Sequence, residues 1–326
     1  MNEFSASFEI TRHCEGKARS NPEKINNMDC FTSFAMTEPL RGVKKPEWLK
    51  ISLGNNQQFS ETGNIITNQG LHTICQSGRC PNLGECWNRG TATFMIGGDI
   101  CTRSCKFCNT KSGRPLPLDP DEPFKIALSI EKMGLKHAVI TSVDRDDLPD
   151  YGSGHWAEII RQAKKRNPQT TLETLIPDFN GNTDYLDVVI ETRPEIISHN
   201  METVKRLTPK VRSVAKYERS LAVLRRISNS QVAAKSGLML GLGETENEIY
   251  ELLDDLLNAG CKLLSIGQYL QPSKKHIPVE DYVHPEIFNK YKEIAYNKGF
   301  KHVESGPLVR SSYGSSKYLH VVSSQV

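Results

Sequence analysis

No run in this 326-residue chain approaches the roughly 18 apolar residues that a membrane-crossing helix needs. The N-terminus has no apolar signal-peptide core, and Glu3, Glu9 and Glu15 are foreign to an acidic-poor transit peptide. Charge bias is missing as well. With 41 Lys and Arg against 38 Asp and Glu, the net charge is only +3. That is too mild to argue for a nucleic-acid partner, and no basic recognition helix stands out. Nor is there a disulfide framework: the nine cysteines are odd in number, clustered, and set in a long chain, a pattern that predicts a reducing compartment, the cytoplasm, and metal binding. With 37% hydrophobic and 24% charged residues and a mean hydropathy of −0.46, the expectation is a globular protein that meets neither membrane nor nucleic acid.

What is present is a concentration of cysteine. Six of the nine fall within 34 positions, as CQSGRCPNLGEC at 75–86 and CTRSCKFC at 101–108. Each triplet is one thiol short of the four that a structural zinc site closes on. The next cysteine downstream is Cys261, and neither His72 nor His137 is at ligand spacing. Three thiolates on a four-iron cluster would instead leave one iron open to an exogenous ligand, which is the logic of a catalytic metal centre. Cys14 and Cys30 lack spaced neighbours and read as incidental thiols. Cys261 reads as a buried structural one.

The rest of the chain is organised unevenly. Residues 1–35 have no sustained apolar periodicity and predict a disordered extension. Ordered-looking sequence opens at Met36, the expected natural start, and residues 36–90 read as an N-terminal extension bearing the first triplet. Over 91–300, β-rich runs alternate with amphipathic stretches. The strand candidates are 91–98, 137–143, 170–177, 195–201, 234–242 and 263–270. At 245–260 the apolar residues Ile249, Leu252, Leu253, Leu256 and Leu257 share one helical face, with a Thr245–Glu248 capping box before them and Gly260 after. Such alternation predicts an α/β fold with a parallel sheet and right-handed crossovers. Six βα units are too few to close an eight-stranded barrel, so the expectation is an open, partial β/α barrel. Residues 301–326 read as a C-terminal segment and tail. In such folds the chemistry gathers after the C-terminal ends of strands, which puts Cys101, Cys105 and Cys108 at the barrel mouth.

The second triplet, C-x3-C-x2-C with Phe107 before its last cysteine, resembles the signature of the radical S-adenosylmethionine (SAM) superfamily. The resemblance implies a [4Fe–4S] cluster on Cys101, Cys105 and Cys108 whose open iron is chelated by SAM. One electron then cleaves the sulfonium to give a 5′-deoxyadenosyl radical. The first triplet followed by the second, with HAVITSVDRDDLPD, ISHNMETV, KSGLMLGLGET, GQYLQPS and SGPLVRSSY in order, is similar to the lipoyl synthases from about residue 45 to 317. That family adds two sulfur atoms, at C6 and C8, to an octanoyl chain amide-bound to a lysine of a carrier protein. The similarity implies a second, auxiliary [4Fe–4S] cluster on Cys75, Cys80 and Cys86, consumed as the sulfur source. Its fourth ligand would be Ser312, within the motif Arg310-Ser311-Ser312-Tyr313. A serine oxygen is a harder ligand than thiolate and poorly matched to cluster iron, which suits a cluster that must come apart. Arg310 and Ser312 are counted with the second-triplet cysteines as catalytic.

The resemblance also implies SAM contacts. Gly237, Met239, Gly241 and Glu244 resemble the superfamily's G-x-I-x-G-x-x-E pattern, with Met in the Ile place. Ser142 and Asp144 stand where relatives have Gly-Gly-Glu, so their individual roles stay open. Asn200 and Glu202 end the fourth strand where relatives contact ribose, and Phe107 is expected near the adenine. Glu173, Lys235 and Gln268 are expected at the mouth, with cofactor and substrate contacts not separated. Asp144–Asp147 reads either as a salt-bridged loop or as part of the mouth. Gln76–Arg79 replaces the acidic residues many relatives carry. The implied partners are octanoylated lipoyl domains (2-oxoacid dehydrogenase acyltransferase subunits and the glycine-cleavage carrier protein), a small electron donor such as flavodoxin or ferredoxin, and an iron–sulfur carrier. Three other functions compete with this one. A biotin-synthase type of sulfur insertion gives no reason for the first triplet with the Arg-Ser-Ser-Tyr motif. An electron-transfer protein would want each cluster fully ligated by cysteine, and an iron-sensing regulator would want nucleic-acid-binding features.

Overall fold

The computed structural model describes residues 45–51, 54 and 56–318. The expected extension 1–35, the Met36 start, Cys14, Cys30 and residues 319–326 lie outside them.

The N-terminal part runs α1 (Gln57–Asn68), β1 (His72–Thr73), α2 (Ile74–Ser77) and α3 (Leu83–Asn88) into strand β2 (Thr93–Ile96). A short ribbon, β3 (Ile100–Cys101) with β4 (Lys111–Ser112), frames the second cysteine triplet. Then follow α4 (Glu122–Lys132), β5 (His137–Ser142), α5 (Ser153–Arg166), β6 (Thr171–Leu175), α6 (Thr183–Ile190), β7 (Ile196–Ser198), α7 (Thr208–Val211) and α8 (Tyr217–Ser228). The chain continues through β8 (Ala233–Leu240), α9 (Glu246–Asn258), β9 (Leu263–Gln268), α10 (Pro285–Lys298) and β10 (His302–Gly306).

Eight strands among the described residues form one sheet in the order β1-β2-β5-β6-β7-β8-β9-β10. β1 runs antiparallel to β2, and every other neighbouring pair is parallel. β1 and β10 are the unpaired edges, so the barrel is open. All six expected strands are present, and a seventh parallel strand, β10, extends the expected six units. HVESG was not legible as a strand because it is an edge strand, with only Val303 and Glu304 buried. Its presence matters: it delivers the Arg310–Tyr313 motif from the same end of the sheet as the other catalytic loops.

Local sequence explains the crossovers. In α9 the Thr245 hydroxyl accepts from the Glu248 N–H at 3.4 Å, and the Glu248 carboxylate accepts from the Thr245 N–H at 2.8 Å. Ile249, Leu252, Leu253 and Leu256 are buried against Leu238, Leu240, Leu264 and Ile266 of β8 and β9, each contributing about 1.5–3 kcal/mol. Gly260 leaves the helix at φ +81°. A second core packs α4, α5 and α8 against β2, β5, β6 and β7. Lys164, Lys165 and Arg166 fill the last turn of α5, where cations oppose the helix dipole. Cys261 is fully buried, with its thiol donating to Ala234 and Leu263 carbonyls.

Candidate active site

One cavity of about 700 Å³ occupies the barrel interior, a size suited to a cofactor with a substrate chain beside it. Cys101, Cys105 and Cys108 line it from the mouth, and Cys75, Cys80 and Ser312 also line it. Ile74, Val139, Leu175, Leu238 and Val309 supply apolar wall.

At the mouth, the Cys101 sulfur accepts backbone N–H groups of Arg103 at 3.4 Å and Asp144 at 3.3 Å. Amides aimed at a sulfur stabilise it as a thiolate. In the metal-free chain, burial pushes the Cys101 thiol up to about 12 and raises Cys108, so a metal must displace the proton when it binds. Arg103, between the ligand cysteines, is 4% exposed at its side chain. Its guanidinium meets Asp144 at 3.3 Å, Asp146 at 2.7 Å and Asp178 at 2.8 Å. The 144–147 loop is therefore both salt-bridged and part of the mouth.

The expected SAM contacts divide. Phe107, Ser142, Asp144, Asn200, Glu202, Gly237 and Met239 line the cavity. Gly241 and Glu244 do not. The Glu244 carboxylate accepts the N–H groups of Gly241 and Leu242, and Gly241, at φ +95°, is packed so closely against Asp281 and Gln268 that no Cβ fits. This half of the motif shapes the turn after β8. Gly237 is bare because a Cβ would stand 2.7 Å from Ser265 and 2.9 Å from Asn200. Glu202 holds a left-handed φ of +67°, pinned by its own backbone pairing to Gly237 and Met239; such strain in a non-glycine residue concentrates at functional sites. Burial raises the carboxyls of Glu202 and Asp144, with Arg212 and Arg103 respectively opposing. Two carboxylates that burial penalises, beside Cys108 and Cys101, suit a cationic ligand such as a sulfonium bearing an amine.

In the auxiliary triplet Cys75 is buried and Cys80 and Cys86 are half-buried, with Cys86 off the cavity wall. The Thr93 N–H, at the start of β2, points at the Cys75 sulfur from 3.5 Å, while the Thr93 hydroxyl donates to Ser312 Oγ at 2.8 Å. Thr93 and Ser312 are 219 residues apart in sequence, so one threonine ties the serine to the triplet. Burial, then Cys75 and Cys80, push the Cys86 thiol up to about 12, and burial takes Cys75 to about 11. Trp87 Nε1 is buried beside Cys75 without a hydrogen-bond partner, a donor that a cluster thiolate would satisfy. Among the described residues no three His, Cys, Asp or Glu side chains converge on a single-ion site; a four-iron cube needs its thiolates spaced more widely. The thiols, with amides aimed at Cys101 and Cys75, have the donor chemistry of cluster sites. Arg310 packs at Gly267 and donates to the Val309 carbonyl at 2.7 Å, and its charge lies near Cys80.

Of the three polar residues expected at the mouth, Glu173 and Gln268 line the cavity and Lys235 does not; Glu173 and Lys235 face each other. They are fully buried inside the barrel and bonded to each other at 2.7 Å. Gln268 spends its amide on backbone, donating to Asp281 and Tyr269 carbonyls and accepting from Val283. Arg103, Thr93 and Asp178 were not singled out in the sequence; of these only Arg103 carried a signal, by lying inside the cysteine motif.

The Radical SAM superfamily model matches residues 95–256. Lipoyl synthase of Parabacteroides distasonis is 64% identical over 277 residues, covering 85% of this chain and 99% of that protein. The lipoyl synthase of Porphyromonas gingivalis is 61% identical over 278 residues, 85% and 99% of the two chains. Among solved structures, SuiB of Streptococcus suis bound to SAM superposes with a TM-score of 0.51 at 11% identity, covering 68% of this chain and 54% of that one. HydG, a maturase of the [FeFe]-hydrogenase, gives 0.50 at 13%, covering 72% and 62%. These two likenesses concern the fold.

Proposed function

Because the chain belongs to the lipoyl synthase family within the radical SAM superfamily, we propose that its barrel cavity is where an octanoyl chain receives sulfur between two iron–sulfur clusters. The enzyme uses SAM and [4Fe–4S] clusters, inserts sulfur at C6 and C8 of an octanoyl-lysine, and acts on lipoyl-domain proteins. Family membership at this identity displaces the biotin-synthase alternative. Cys101, Cys105 and Cys108 would hold the first cluster, and Cys75, Cys80, Cys86 and Ser312 the second. When bound, these groups supply the electron that cleaves SAM and the sulfur that is transferred.

The chain supplies placement. Arg103 locks the cysteine loop to the ends of β5 and β6, so the mouth keeps its shape when ligand enters. Asp144, Glu202 and Asn200 present polar atoms on the side of the cavity where a charged nucleotide would bind. The apolar wall of Val139, Leu175 and Leu238 fits an eight-carbon chain and keeps water from it. The observation that carries the reading is Thr93, which joins Cys75 of the auxiliary triplet to Ser312 on the wall of the same cavity as the second triplet. Two saturated carbons require two hydrogen abstractions, hence two SAM cleavages for each product. Anaerobic incubation of the cluster-loaded enzyme with dithionite, SAM and an octanoyl-lysine peptide is expected to give, by mass spectrometry, a peptide heavier by two sulfurs. SAM cleavage with an unchanged peptide would reject the assignment.

The finer partners rest on the same proposal. An electron source of flavodoxin or ferredoxin type and an iron–sulfur carrier follow from a reduction step and from a cluster that is consumed. The cytoplasm suits both. No helix among the described residues is long and apolar enough to cross a membrane. Docking of an acidic carrier domain is supported by Arg79, Lys106, Lys274 and Lys275, all exposed and in no ion pair among the described residues. The loop 271–277 brings them together: Arg79 donates to the Pro272 carbonyl at 3.4 Å, and the Ile277 N–H to the Lys106 carbonyl at 3.2 Å. Lys274→Glu/Lys275→Glu is expected to raise KM for an acidic octanoylated domain by about 3–10-fold, more at low salt, with an octanoyl-lysine peptide unaffected. Equal KM values for wild type and variant on the domain would dismiss this face.

A further inference from the structure

The Glu173–Lys235 pair is buried in the barrel, with Glu173 on the cavity wall and Lys235 behind it. Two desolvated charges are poor value as stabilisation, since well-packed apolar residues do as well or better. The partners of the ammonium explain its presence. Lys235 Nζ donates to Glu173 Oε1 at 2.7 Å and to the Ser311 carbonyl at 2.6 Å, and lies 4.0 Å from the centre of the Tyr318 ring. An ammonium has three donor positions. The barrel answers one of these directions, and the C-terminal segment answers the other two. Glu173 is held from its own side by the Ser198 hydroxyl at 2.9 Å, and its second oxygen faces His137 Nε2 at 3.7 Å, neither atom having a hydrogen-bond partner.

Ser311 is gripped twice. Its carbonyl takes Lys235, and its side-chain oxygen accepts from Asn200 Nδ2 at 2.6 Å. The following residue is Ser312, whose oxygen meets Thr93. Tyr318 is buried against Ile196 and Leu263, so the segment is anchored beyond the motif as well. We propose that the Glu173–Lys235 pair is a positioning device: it fixes the Ser311 carbonyl, and through it presents Ser312 to the auxiliary triplet. Among the described residues neither Lys235 nor Glu173 hydrogen-bonds to a triplet cysteine or to Ser312. The dependence is mutual, because the buried ammonium is fully partnered only when the segment is in place. The functional half of this inference rests on Ser312 being the auxiliary-cluster ligand; the structural half does not.

The test separates the two halves. Lys235→Met leaves Glu173 buried without a partner and can fail to fold, so the informative variant is Lys235→Met/Glu173→Leu, which removes both charges and keeps the volume apolar. In the cluster-free full-length chain, hydrogen exchange is read over residues 309–317, where the Tyr313, Ser315 and Lys317 amides are bonded within the segment. The double variant is expected to melt near wild type, to exchange at least about tenfold faster over this segment alone, and to assemble about four irons per chain in place of about eight. SAM cleavage persists and lipoyl product is lost. Wild-type exchange over 309–317 in the folded double variant would overturn the latch. Faster exchange with about eight irons retained would overturn its role in presenting Ser312. Failure of the wild type itself to thiolate octanoyl peptide would instead strike the proposed function and leave the exchange result standing.

Discussion

Ser312→Ala is expected to retain the cluster on Cys101, Cys105 and Cys108, to go on cleaving SAM, and to make no lipoyl product. The loss should exceed about a hundredfold, beyond what removal of an outer-shell partner costs a metal site. The selectivity follows from where the serine sits. Its oxygen accepts from Thr93 at 2.8 Å, and the same threonine's N–H points at Cys75. Two of the mouth cysteines have partners of their own: Cys101 takes the Arg103 and Asp144 amides, and Cys105 lies 3.7 Å from the Ser213 hydroxyl. None of these passes through residue 312. The backbone of the motif stays in place because the grip is on Ser311, so the alanine variant removes one oxygen without releasing the segment. Quantifying 5′-deoxyadenosine and thiolated peptide in the same anaerobic reaction checks this. Product at the wild-type yield would remove Ser312 from the ligand set.

Much of this architecture could be read from residue order. The six barrel strands were legible because each is a short apolar run flanked by turn residues, and α9 because its capping box and apolar face coincide. The cysteine triplets were legible because metal ligands must be few, soft and close in sequence. β10 was not, because an edge strand with one covered face carries a weak pattern: HVESG shows a single aliphatic residue. Missing it hid the reason a C-terminal motif belongs at the active site. Glu173 and Lys235 stand out in the sequence as polar residues on strands, but a period-two pattern cannot say whether an inward side chain meets ligand or another inward side chain. Their pairing reaches across β7 and depends on its register with both neighbours, Glu173 beside Ile196 and Lys235 beside Ser198. In the G-x-I-x-G-x-x-E resemblance the first half, Gly237 and Met239, lines the cavity. Its second half does backbone work, a distinction that only the path of the loop after β8 reveals.

Arg103→Met is expected to lower the stability of the cluster-free chain by about 3–5 kcal/mol at pH 7, the usual cost of leaving a buried charge without its partner. Three carboxylates depend on this guanidinium, and Asp178 depends on it most. Burial alone would raise the Asp178 carboxyl, but Arg103 at 2.8 Å, with Arg219 at 3.2 Å and the Asn180 N–H at 3.1 Å, holds it down to about 2 from an ordinary 3.8. His199, the remaining titratable neighbour, is kept mainly neutral by burial and by Arg212, at about 4. The sign follows from linkage. A carboxyl depressed by folding contributes stability that is complete above its unfolded value and is lost as pH falls from about 4 towards 2. For a depression of this size that share is about 2 kcal/mol. In the variant Arg219 remains, so part of the depression survives, but the larger share of the acid-labile stability disappears together with the drop at pH 7. Urea midpoints of the cluster-free chain at pH 7 and pH 3 read both effects. A variant within 1 kcal/mol of wild type at pH 7, or one with an unchanged loss between the two pH values, would show that Arg103 does not hold the mouth together. Because Asp144 and Asp146 answer to the same guanidinium, the variant should also loosen the loop that carries Cys101 and Cys105, making the mouth cluster the first to be lost on exposure to chelator.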